Sequence, residues 1–173
     1  MKRLSLLVVT LGVLVSGCGS SSSTAPTTPT NPTFTATLLP SNEVPAVSGA
    51  EASGSGTATV TIVTTKDGAG NVTSATATFV VNLSGFPAGT SISNAHIHNG
   101  ASGVNAGVVV PSGIAAGATV VGANGTATFT ASNLTINPVD VANQILANPA
   151  GFYFNVHTSL NPGGVARGQL VRQ

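Results

Sequence analysis

Residues 57–63 read TATVTIV, which places Ala58, Val60 and Ile62 on one side of an extended chain and threonines mostly on the other. After Lys66-Asp67-Gly68-Ala69-Gly70-Asn71, the run Val72 to Leu83 puts Ala75, Ala77, Phe79, Val81 and Leu83 on one side, so the two runs predict a hairpin. Further strands are predicted over Thr33–Leu39, Thr90–His98, Val108–Val110, Thr119–Val121, Gly125–Ala131, Gly151–Thr158 and Val165–Arg172, with Gly or Pro in nearly every gap. One helix is predicted from Pro138 to Asn148, with Pro138 in its first turn and Val141, Ile145 and Leu146 roughly on one face. The pattern predicts an all-β fold, an antiparallel Greek-key sandwich or barrel of about 7–9 strands with one short helix.

Charge narrows the function classes. Charged residues are 5% of the chain, against roughly 25% in ordinary soluble domains, which excludes a nucleic-acid binder built on phosphate neutralisation and a coiled coil with charged flanks. Disorder driven by high charge is excluded too, since 42% of the residues are apolar. The segment Asn99 to Gly107, NGASGVNAG, precedes no helix, so it cannot be a phosphate cradle and reads as a mobile loop. No Gly-x-Ser-x-Gly elbow is present, and Asp140 is expected to face solvent.

The first residues carry a different message. Lys2 and Arg3 precede an apolar run from Leu4 to Val15, short of the roughly 20 residues a membrane span needs, so residues 1–17 read as a cleaved signal peptide. Val15-Ser16-Gly17-Cys18 resembles the lipobox of bacterial lipoproteins, which implies lipidation of Cys18. Residues 18–33, rich in Ser, Thr and Pro, form a tether, and residues 34–173 form one β domain. The expected location is the cell envelope, lipid-anchored, with Gly19 rather than aspartate after the cysteine favouring the outer membrane, facing periplasm or exterior. Cys18 is the sole cysteine, so the domain has no thiol for a disulfide or a metal.

The histidines number three: His96, His98 and His157. Period two puts Ala95 and Ile97 on one face and Asn94, His96 and His98 on the other; likewise Phe152, Phe154 and Val156 oppose Tyr153, Asn155 and His157. Two imidazoles at i and i+2 can reach one ion between them, and a third from a neighbouring strand completes a nitrogen set suited first to Cu and then to Zn. The competing reading makes His96 and His98 surface polar residues of a strand entering a Gly-rich loop, with His157 unrelated.

Four segments carry a family resemblance: Leu39-Pro40-Ser41-Asn42-Glu43-Val44-Pro45-Ala46-Val47, Ala95-His96-Ile97-His98-Asn99-Gly100 running on to Val109, Tyr153-Phe154-Asn155-Val156-His157-Thr158, and Pro162-Gly163-Gly164-Val165-Ala166-Arg167-Gly168-Gln169-Leu170. In this order they resemble the CHRD domain, the module named from the extracellular antagonist chordin and also found in secreted microbial proteins. Val165-Ala166 stands where that family usually has Glu-Ile. More distantly, His96-Ile97-His98, His157 and the Gly163–Gly168 segment look like the copper ligands and glycine-arginine segment of Cu/Zn superoxide dismutase, although no further histidine exists to hold zinc. Arg167 is expected either to attract an anion or to pair with Glu43, the pairing being preferred because charges are so few. The resulting expectation is a binding module with an envelope or extracellular protein partner and a Cu or Zn ion on His96, His98 and His157; the alternative is a copper-dependent superoxide dismutase-like oxidoreductase.

Overall fold

The computed structural model describes residues 31–173; the predicted signal peptide, Cys18 and the tether up to residue 30 lie outside the described residues. In chain order the strands are β1 (Thr33–Leu38), β2 (Ser55–Lys66), β3 (Val72–Ser84), β4 (Ser91–Asn99), β5 (Val108–Pro111), β6 (Thr119–Val120) and β7 (Ala127–Thr135). Helix α1 (Asp140–Ala147) follows, then β8 (Phe152–Thr158), β9 (Ala166–Gln169) and β10 (Val171–Arg172). All pairings are antiparallel: one sheet runs β10-β1-β2-β3-β7, and the other runs β5-β4-β8-β9 with β6 also on β4.

The all-β architecture with one short helix expected from the alternation is therefore the one that forms, as a two-sheet sandwich. Ala58, Val60 and Ile62 of β2 pair with Val81, Phe79 and Ala77 of β3, and all six are buried, so the hairpin turns its apolar sides to a common interior. Phe79 meets Phe154 of β8 across the two sheets, ring edge against ring face, with centroids 5.0 Å apart. Helix α1 is shorter than expected; it buries Val141, Ala142 and Ile145 and leaves Asp140 exposed.

The candidate strand over Val165–Arg172 splits in two. Leu170 is fully buried between its halves, and there the chain passes from the second sheet, where β9 pairs β8, to the first, where β10 pairs β1. The crossing closes one side of the sandwich: Leu39 N–H donates to the Arg167 carbonyl at 3.1 Å, and a side chain at Gly168 would overlap the Thr37 carbonyl. Only a residue without Cβ lets the two backbones meet this closely. Gly168→Ala should therefore cost roughly 3 kcal/mol or more by overpacking against unyielding backbone. A urea unfolding midpoint unchanged from wild type would show that the closure is looser than described.

Candidate metal centre

Strand register assembles the histidines. β4 and β8 pair with Asn94 opposite His157, His96 opposite Asn155 and His98 opposite Tyr153. A bulge between Ile92 and Asn94 keeps both Ile92 and Ala95 in the core, so Asn94, His96 and His98 stay together on the outer face. His157 is thus the diagonal neighbour of His96, with ring centroids 4.4 Å apart, while His96 and His98 are at 4.9 Å and His98 and His157 at 6.4 Å.

This outer face is not a surface. Each histidine is only 7% exposed, and β8 is buried at every residue on both faces. The competing reading of His96 and His98 as surface residues fails because polypeptide folds over them. The segment 99–107, expected to be a mobile loop, is tied down: the Ala106 carbonyl contacts His98 Nδ1 at 2.7 Å, and Ala106 N–H donates to the Tyr153 hydroxyl. Its Asn105 side chain donates to the Val44 carbonyl and accepts from Arg167. On the other side the turn after β8 brings the Pro162 carbonyl to 2.9 Å from His157 Nδ1.

Those two carbonyls fix the tautomers. A carbonyl only accepts, so His98 and His157 each carry their proton on Nδ1 and leave Nε2 as a bare lone pair. His98 Nε2 lies 3.0 Å from His96 Nδ1, which must then be the donor between them. His157 Nε2 is buried with no hydrogen-bond partner among the described residues. One nitrogen from each ring lies within 4.8 Å of the other two. Two donors about 2.0 Å from one ion are at most roughly 4 Å apart, so the 3.0 Å pair already fits, and a ring adjustment of about 1 Å brings in the third.

Electrostatics keeps the cluster neutral. Burial, reinforced by the neighbouring His157 and His98, pushes the His96 imidazole down to about 3. Burial also lowers His98 and His157 despite the carbonyls that favour their protonated forms, and the Arg167 guanidinium lowers both further. Arg167 itself lies on β9 opposite Asn155. Its Nε and Nη2 are each 2.6 Å from Glu43 Oε2, its Nη1 donates to the Val104 carbonyl and its Nη2 to Asn105 Oδ1. Its charge also sits 4.6 Å from the centre of the Tyr153 ring, whose other flank stacks on His98, 4.6 Å between centroids and 4° from parallel.

Several contributors escaped the sequence reading. Alternation puts Tyr153 on the same strand face as His157 but signals no role for it, although it ties Ala106 and stacks on His98. Glu51, also buried, accepts from the Thr158 hydroxyl and from the Asn161 amide, which orders the turn carrying Pro162. Gly164 has φ of +133°, and a side chain there would press on the Asn155 amide and the Glu43 carboxylate. Glycine is required where that turn crosses the ion pair.

The comparisons with known proteins bear on this arrangement. A family model described as the CHRD domain matches residues 34–170, spanning both sheets, all three histidines and Arg167. The chain belongs to the CHRD domain family. No curated protein and no solved structure matched it.

Within this CHRD domain the buried histidines couple folding to pH. Their folded-state values lie below the ordinary unfolded value of about 6.5, so between the two the unfolded chain binds more protons. Stability is then complete above about pH 7 and falls as pH drops toward 3. The expected loss between pH 7.5 and 4.5 is on the order of a few kcal/mol, read from urea midpoints. His96→Gln, which cannot take up a proton, should flatten the profile; an equally steep one would place the titration elsewhere.

Proposed function

We propose that this CHRD domain is a metal-binding module in which His96 Nδ1, His98 Nε2 and His157 Nε2 hold one ion, copper in the first place and zinc in the second. The observation that carries the reading is the pair of backbone carbonyls, Ala106 and Pro162, that occupy Nδ1 of His98 and His157 and leave both Nε2 atoms free of protons, within a cluster whose three ligand atoms lie within 4.8 Å of one another. Ligating histidines are held this way by partners on their other nitrogen. A purely structural role would leave the buried His157 Nε2 without a partner, at a cost of about 1–3 kcal/mol. His157 Nε2 would gain its partner in a bound ion, and the proton between His96 and His98 would move to His96 Nε2, freeing Nδ1 to ligate.

Arg167, the cation that an anionic substrate would seek, is engaged by Glu43, Val104 and Asn105, so binding rather than turnover is the activity supported. The domain is displayed from the cell envelope by lipid on Cys18 and the Ser/Thr/Pro tether, within reach of an envelope or extracellular protein partner.

Two measurements test the proposal. Protein free of tag histidines should bind one equivalent of copper. Each of His96→Ala, His98→Ala and His157→Ala should weaken it beyond the roughly 10–100-fold typical of losing an outer partner. Binding that all three variants retain refutes the site. In fractionated cells Cys18→Ser should move the protein out of the membrane fraction; an unchanged distribution refutes the anchor.

A further inference from the structure

We infer that the three-histidine site selects monovalent copper, Cu(I), over Cu(II) and Zn(II); the inference rests on the metal-binding reading above and specifies its ligand. Among the described residues, the histidine group includes no Asp, Glu or Cys. The four carboxylate side chains of residues 31–173 are occupied or remote from the rings: Glu43 is bound to Arg167, Glu51 to Thr158 and Asn161, Asp67 caps the exposed β2–β3 turn, and Asp140 is exposed on α1. The site therefore offers three neutral nitrogens and no negative charge.

Zn(II) in a closed site takes four ligands, and Cu(II) prefers a tetragonal set of four or more. Cu(I), a filled-shell ion, is satisfied by three neutral donors. The surroundings push the same way, because the rings are buried under segments 99–107 and 159–164, where an ion loses its water. The desolvation cost rises with the square of the charge, so a monovalent ion costs roughly a quarter of a divalent one of equal size. The cationic end of the Arg167–Glu43 pair lies over the Tyr153 ring that stacks on His98, and its field opposes a dication twice as strongly as a monocation.

These terms run against the usual order for imidazole sites, in which Cu(II) outbinds the other divalent ions. The test uses the full chain with Cys18→Ser, so that no thiol competes, and without tag histidines. Cu(I) is titrated anaerobically against bathocuproine disulfonate, and Cu(II) and Zn(II) against chromophoric chelators of known affinity. Cu(I) should bind at least about 100-fold more tightly than either divalent ion. The Cu(I) complex should stay silent in electron paramagnetic resonance on exposure to air. Both properties should be lost in His98→Gln and His157→Gln. Tighter binding of Cu(II) or Zn(II), still dependent on the histidines, overturns the selectivity while leaving the site standing. Failure of all three ions to bind overturns the metal-binding reading itself.

Discussion

The close approach of β9 to β1, backbone against backbone at Gly168 and Thr37, is the contact on which the rest of this domain depends. It brings the last ribbon of the second sheet against the first, and so encloses Leu170 and one flank of the core. It also determines where Arg167 stands. Because the Arg167 main chain bridges to Leu39, the 3-10 turn that follows, Pro40–Asn42, delivers Glu43 beside the guanidinium, and Asn42 donates to the Arg167 carbonyl as well. The charged pair is thus a product of sheet closure, and the histidine cover is assembled on that pair.

Burying so much polarity on the outside of a sheet is unusual and needs specific partners. Burial pushes the Glu43 carboxyl up even though Arg167 pulls it down, and its Oε1 has no hydrogen-bond partner among the described residues. Asn155 Oδ1 is in the same position. A domain with ample charge could solvate such a face; this one covers it instead, with Arg167 laid over Tyr153 and the 99–107 segment fastened to Tyr153, His98 and Arg167 at once. The outcome is a buried cluster of imidazoles, held neutral, next to a fixed cation.

Much of this was legible in the amino-acid order. Alternation located the strands and separated Ala95 and Ile97 from His96 and His98, because each residue's face is a local property of an extended chain. The register that makes His157 the diagonal neighbour of His96 was not legible, since it is set by pairing between segments about sixty residues apart and by the bulge before Asn94. Nor was burial. A polar residue facing away from a core reads as exposed unless one knows that irregular segments return to cover it, and loop paths have no periodicity to read. Glu51 is hidden in the same way, since nothing in its Ser/Gly-rich stretch signals that Thr158 and Asn161 come to meet it. The break at Leu170 was missed for a related reason: crossing between sheets leaves the alternation of a strand nearly intact.

The carbonyls that orient His98 and His157 belong to the main chain of Ala106 and Pro162. No side chain encodes them, so substitutions in the covering segments can accumulate freely wherever the path of the polypeptide survives. What such a site asks of its covering segments is a path, held at a few points such as Asn105, Asn161 and Gly164, rather than a particular residue at the two carbonyls themselves.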